Sequence, residues 1–143
     1  MTVKSILSAK SRDVLTIEPT ANLAAAAKLM AELNIGALVV TGPDQRVVGI
    51  VSERHIVREL AAHGAASLDL LLTEVMTVNV MTCNSSDTIS SVMERMTEGR
   101  FRHLPVVEQG RLTGILSIGD VVKHRLQAMD NDQAALHDYI QTA

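Results

Sequence analysis

A chain of 143 residues can build one good core, or two half-size units that share one, but not two large independent domains. Although 47% of the residues are apolar, Phe101 and Tyr139 are the only aromatics, so the core has to come from Val, Leu, Ile, Met and Ala. The formal charge of -3 argues against a general nucleic-acid or anionic-lipid binder, and no apolar run reaches the length of a membrane span.

The opening MTVKSILSAKSRDV has neither the long apolar stretch nor the small-residue cleavage pattern of a secretory signal, which makes a cytoplasmic location the expectation. In that reducing setting the single Cys83 makes no internal disulfide and reads as a small, semi-buried side chain. Thr16-Ile17-Glu18-Pro19 is a short strand stopped by proline, and Thr20-Ala21-Asn22 offers caps for the helix that follows. That helix, about Leu23 to Leu33, puts Leu23, Ala26, Ala27, Met30 and Leu33 on one face, with Lys28 and Glu32 an i,i+4 pair on its flank. Gly36 is expected to help end it.

Ala37-Leu38-Val39-Val40 reads as a fully buried strand, Thr41 to Gln45 as a hairpin loop, and Val47 to Val51 as the returning strand. Ser52 can cap a second helix from about Glu53 to Ala61. Leu68, Leu71, Leu72 and Val75 are spaced for a short linking helix that packs on the core. Val80-Met81-Thr82-Cys83 is then a second short strand, and Ser85, Ser86 or Asp87 caps a helix carrying Ile89, Val92, Met93 and Met96. Arg102 to Val107 and Leu112 to Leu116 are strands joined by a turn at Glu108 to Arg111, and Ser117 or Asp120 opens a last helix. Met129 to Asp132 reads as a helix boundary, with a separate helix over Ala134 to Ile140 that docks on the molecule or on a partner subunit.

The second half repeats the first. Val14-Leu15-Thr16-Ile17 lies over Val80-Met81-Thr82-Cys83, Met30 over Met96, Leu38-Val39-Val40 over Leu104-Pro105-Val106, and Gly49-Ile50-Val51-Ser52 over Gly114-Ile115-Leu116-Ser117. The fold class expected is therefore α/β, with two pseudo-symmetric strand-helix-strand-strand-helix repeats packed through their small sheets. The boundaries are residues 8–63 for the first repeat, 64–76 for a linker helix and lead-in, 77–127 for the second repeat and 128–143 for a helical tail.

Two segments can carry chemistry. In Gly99-Arg100-Phe101-Arg102-His103-Leu104, three groups able to bear positive charge precede a buried strand, and arginine's planar fork suits phosphate. Strand alternation puts Arg100 and Arg102 on one face, with Phe101 and His103 on the other; a solvated charge run paired with Glu94 or Glu98 is the plainer reading. In Gly114 to Asp120 a strand meets a helix whose first N–H groups are unpaired, Ser117 can cap or donate to phosphate, and Asp120 can accept from ribose hydroxyls. Helix charge compensation is the alternative role for Asp120. The matching first-copy stretch, Ser52-Glu53-Arg54-His55, has histidine where the second copy has aspartate, so the two sites are unequal. Arg54 either meets a phosphate there or pairs with Glu53 or Glu59. No complete catalytic triad, P-loop, GxGxxG run or metal-ligand spacing occurs, and the chain is not expected to be an enzyme.

The repeated pattern of Thr-x-x-Pro or its relative (Ser85 stands in the second copy where the first has Pro19), helix, buried strand and Gly-h-h-Ser-x-x-Asp resembles the cystathionine-β-synthase-type (CBS) domain, which occurs in tandem pairs called Bateman modules. The likeness covers roughly residues 6 to 127. Its run Arg100 to Val106, with Ser117 to Val122, is similar to stand-alone bacterial pairs labelled as related to inosine-monophosphate dehydrogenase but lacking its catalytic domain. The resemblance implies a regulatory module that binds AMP, ATP or NAD between the repeats, with no catalytic cofactor and no metal. It puts the ribose on Asp120, a hydroxyl contact at Ser117, the repeat-start threonine at Thr82 with Thr16 its counterpart, and phosphate contacts on Arg102 and His103. Thr77, Asn79 and Val80 would line the nucleobase pocket, and Ser52 and Arg54 belong to the first-copy cleft that His55 puts in doubt. It also implies a homodimer and leaves room for a separate protein partner. The rival function is a scaffold or dimerisation protein that senses no nucleotide.

Overall fold

The computed structural model describes residues 2–9 and 15–142; Val14, the first residue of the aligned strand, lies outside them. Helix α1 (Val3–Ala9) precedes a first repeat of β1 (Thr16–Ile17), α2 (Leu23–Leu33), β2 (Ala37–Thr41), β3 (Val47–Ser52) and α3 (Glu53–His63). A 3-10 stretch, Gly64–Asp69, and helix α4 (Leu72–Val75) form the link. The second repeat consists of α5 (Ile89–Gly99), β4 (His103–Glu108), β5 (Arg111–Ser117) and α6 (Ile118–Thr142). None of these helices is long and apolar enough to cross a membrane.

In the first sheet, β1 runs parallel to β2 and β3 returns antiparallel beside β2. Among the described residues the second sheet has only β4 and β5, because Val80 to Cys83 forms a single parallel bridge, Cys83 to Val106, where the first repeat has Ile17 beside Val40. The expected strand is thus present in position but reduced to one residue pair. Both hairpins carry an irregularity at the same place, Val40/Thr41 and Val106/Val107. The second turn places Gln109 at φ 51° and Gly110 at φ 80°, the pair of left-handed residues that a tight two-residue hairpin needs.

Several termini differ from expectation. Asn34, left-handed at φ 54°, ends α2 in place of Gly36, since asparagine tolerates that conformation; Arg100 does the same for α5 at φ 56°. Thr88 caps α5, its hydroxyl accepting from Ser91 N–H at 3.1 Å, because Asp87 is occupied with the Asn84 amide and Arg95. The boundary expected at Met129 to Asp132 is absent, and α6 runs unbroken for 25 residues, since no proline or glycine follows Gly119, which sits in its first turn.

The buried apolar residues form two clusters, not one shared core, and the repeats are joined by exchange. Helix α1, which precedes the first repeat, places Val3 and Ile6 in the second repeat's cluster with Val92, Leu104 and Leu116. Helix α4, which precedes the second repeat, places Leu72 in the first repeat's cluster with Leu23, Leu38 and Val51. Matching backbone bonds hold both crossings: Val3 N–H to Asp87 O at 2.9 Å, and Leu72 N–H to Ala21 O at 2.9 Å. The linking segment is therefore a 3-10 turn followed by a one-turn helix that docks on the repeat behind it.

Candidate functional site

The crossing of α4 positions the site. After α4 the chain pairs with β3, Ile50 and Thr77 exchanging N–H···O bonds at 3.0 Å in both directions, and this lays Thr77 to Met81 along the start of α3. The close approach requires glycine at position 49: a Cβ there would meet Met76 Sδ at 2.4 Å and Thr77 O at 3.1 Å. Gly114 is the counterpart, where a Cβ would meet Leu7 Cδ2 at 2.7 Å. The glycine that begins each Gly-h-h-Ser run is thus the place where the exchanged segment crosses the sheet.

Between this segment, the start of α3 and the residues leading into β4 lies a cleft of about 420 Å³. Its first-repeat wall contains Gly36, Ser52, Glu53, Arg54, His55 and Arg58; Thr77, Asn79, Val80, and Arg100 to His103 form the other. The alternation expected between Arg100 with Arg102 and Phe101 with His103 does not separate them, because Arg100 is the left-handed end of α5 and the chain is not yet in a strand. All four are among the residues that line the same cleft. The lining contains four arginines and two histidines against one acidic residue, Glu53. None of Arg54, Arg58, Arg100 and Arg102 takes part in an ion pair among the described residues, so neither Glu94 and Glu98 nor Glu53 and Glu59 neutralise them. The cleft therefore carries local positive charge on a mildly acidic protein.

His55 is fixed at its centre. Nδ1 accepts the backbone N–H of Ser52 at 3.0 Å and lies 2.9 Å from the Ser52 hydroxyl, while Nε2 lies 2.9 Å from Thr77 Oγ1. Because Nδ1 accepts an amide proton, the ring is neutral and Nε2 carries the proton donated to Thr77. Burial, reinforced by the nearby Arg58 and partly opposed by Glu59, holds the imidazole below its ordinary pKa, which agrees with that tautomer.

The start of α6 has the same construction with a carboxylate. Asp120 Oδ2 accepts the Ser117 N–H at 2.9 Å and Asp120 N–H donates to Ser117 Oγ at 3.0 Å. Neither side chain is among those lining the 420 Å³ cleft. Thr82 is also elsewhere, its carbonyl accepting from Arg95 at 3.2 Å, and Thr16 lies in β1 beside Val39. The structure thus divides the residues that the sequence reading grouped around Asp120. Thr77, Asn79, Val80, Arg102 and His103 join Ser52 and Arg54 around His55, because the exchanged lead-in borders the opposite repeat's helix start. The sequence reading missed Arg58, for which four-residue spacing from Arg54 was the available signal, and named Arg100 in the basic run without assigning it a ligand contact. Among the described residues no group of three or more His, Cys, Asp or Glu could hold a metal ion.

The family model for the CBS domain matches residues 3–62 and 72–127. The chain belongs to the CBS domain family. A mitochondrial CBS domain-containing protein of Arabidopsis thaliana is 33% identical over 120 residues, covering 81% of this chain and 58% of the relative. The chain spans 58%, 66% and 31% of three curated relatives it matches. Among solved structures, a CBS-domain containing protein from Agrobacterium tumefaciens is 49% identical with a TM-score of 0.83, covering 87% of this chain and 92% of that one. A CBS domain pair solved in complex with 5′-methylthioadenosine and S-adenosyl-L-methionine is 25% identical, with a TM-score of 0.80 and coverage of 90% and 98%. Both matched stretches include the exchanged helices α1 and α4, so the crossing lies inside the family's own repeat unit.

Proposed function

We propose that this CBS pair is a regulatory module that binds an adenine nucleotide, AMP, ATP or NAD, and performs no catalysis. The observation that carries the reading is the His55 cleft of about 420 Å³, whose lining includes four arginines, none in an ion pair among the described residues, beside hydroxyl- and amide-bearing residues. That volume falls in the range of small-molecule sites, roughly 300–1,000 Å³. Fork-shaped arginines suit phosphate oxygens, and the half-buried Val80 and Ile50 offer apolar surface for a base. The adenosyl ligands of the CBS pair described above support the same chemistry. Asp120 and Ser117 form a second, carboxylate-bearing helix start suited to ribose hydroxyls. A homodimer belongs to this proposal: Val57 on α3 and Val122 on α6, equivalent in the two repeats, are both exposed apolar residues.

The test is isothermal titration of nucleotide-free protein with AMP, ATP and NAD in parallel, repeated on Arg102→Ala. Loss of one charge-assisted contact, about 1.5–3 kcal/mol, corresponds to roughly 10- to 100-fold weaker binding. Unchanged affinity in the variant removes Arg102 from the site, and no binding to any of the three leaves the scaffold reading.

A further inference from the structure

The last stretch of α6 continues beyond the family match, which ends at residue 127, and from Met129 to Gln141 every residue is exposed. Its apolar residues are nevertheless ordered. Val122, Leu126, Met129, Gln133, Leu136 and Ile140 are spaced 4, 3, 4, 3 and 4, the alternation of a heptad seam broken by one polar residue. The five apolar members are 45–63% exposed. Val121, buried, and His124 and Ala128, half-buried, mark the side that packs on the core, roughly a third of a turn away from this seam. The stripe therefore faces away from its own molecule.

We propose that this stretch pairs with the same stretch of a second copy of this chain as a parallel, in-register, two-stranded coiled coil. The flanking charges choose both the occupant and the direction. Lys123 and Arg125 flank the first heptad, Asp130 and Asp132 the second, and His137 the third. In a parallel pair a residue before the seam meets the one five positions later on the other helix, so Arg125 meets the second copy's Asp130 and Asp132 meets the second copy's His137. An antiparallel pair that overlaps the whole seam would set Asp130 against Asp130 and Asp132 against Asp132, like charges in contact. Gln133 opposite Gln133 adds an amide pair that only the in-register arrangement satisfies, the role best established for a polar residue in such a seam. This contact is independent of nucleotide binding, and it shares Val122 with the homodimer proposed above.

The experiment is disulfide trapping in the full chain. Leu136→Cys, a seam position, is compared with Ala135→Cys, an exposed position off the seam on the side of Val121 and Ala128, the unsubstituted chain serving as blank because Cys83 is buried. With oxidised glutathione at micromolar protein, Leu136→Cys forms a linked dimer at least tenfold faster than Ala135→Cys. Arg125→Asp slows that linkage and adding Asp130→Arg restores it. Equal rates at 135 and 136 overturn the coil. A mixture of Leu126→Cys and Leu136→Cys chains that links 126 to 136 in preference to 136 to 136 overturns the parallel direction.

Discussion

His55 Nδ1 accepts the Ser52 amide at 3.0 Å at the start of α3, and Asp120 Oδ2 accepts the Ser117 amide at 2.9 Å at the start of α6. A neutral imidazole and a carboxylate thus perform one structural task at equivalent positions in the two repeats. They differ in what remains. The histidine's second nitrogen is engaged by Thr77, and the ring offers no charge, whereas Asp120 brings a carboxylate to its own helix start.

The histidine makes folding pH-dependent. Its pKa in the fold lies below the unfolded value of about 6.5, so the unfolded chain binds more protons as pH falls through that window. The contribution is fully present above about pH 6.5 and is lost as pH drops through the lowered folded value. Protonation also removes the acceptor for Ser52 N–H. Melting temperature should fall on going from pH 7.5 to pH 5.5, and His55→Asn, which keeps an acceptor that does not titrate, should flatten that part of the profile. An unaltered slope in the variant assigns the effect to other groups.

Asp120 has to be tested with its structural duty in mind. Asp120→Ala removes the acceptor for Ser117 N–H and should cost about 1 kcal/mol, the usual worth of such a helix cap. Asp120→Asn keeps an acceptor oxygen and should stay within about 0.5 kcal/mol of the parent in urea melts. A loss of nucleotide affinity in the asparagine variant therefore reports the carboxylate and not a loosened helix. Equal destabilisation by both substitutions would show that the charge, not the cap geometry, stabilises α6.

The repeat was legible because its periodic signals are local. Leu23–Leu33 is helical as expected, and Ala37 to Val40 is the buried strand, since apolar spacing and caps act within a few residues. The exchange was not legible: nothing local in Val3, Ile6 or Leu72 says which of two similar cores each will enter. Because of that one unread fact, the sequence does not tell that Thr77, Asn79 and Val80 border the start of α3 with His55. The helix boundary at Met129 to Asp132 failed for another reason. Asp and Asn favour caps, but without a glycine or proline their weak preference does not stop a helix.

The crossing glycines should be intolerant to different degrees. At Gly49 a methyl group meets Met76 Sδ at 2.4 Å and also backbone, Thr77 O at 3.1 Å, so relief requires moving the exchanged strand. At Gly114 the nearest atoms all belong to the Leu7 side chain, which can rotate. Overpacking of this kind costs about 1–3 kcal/mol. Gly49→Ala should fall at the upper end and Gly114→Ala at the lower in denaturant titrations, and the reverse order would contradict the role given to the Thr77 carbonyl.

Cys83 should be inert in the folded protein. Burial, with the negative charges of Asp87 and Glu108 outweighing Arg95, pushes its thiol up to about 11, and only the thiolate is nucleophilic. Ellman's reagent at pH 7.5 should label it far more slowly in buffer than in 8 M urea. Rapid native labelling would mean that the Cys83 to Val106 bridge opens readily.

The exchanged helices predict how the repeats fail. Ile6 is 4% exposed within the second repeat's cluster, and Leu72 is fully buried within the first's. Truncating either to alanine should cost about 2–5 kcal/mol through lost burial and the cavity left behind. The damage, however, should appear across the chain from the substitution. In amide hydrogen exchange, Ile6→Ala should speed exchange first in α5, β4 and β5, although residue 6 precedes the first repeat. Leu72→Ala should do so in α2, β2 and β3, although residue 72 leads into the second. If each substitution instead loosens the repeat that follows it in sequence, the crossing is absent in solution, and the cleft it builds around His55 would have to be redrawn with Thr77 to Val80 on the other side.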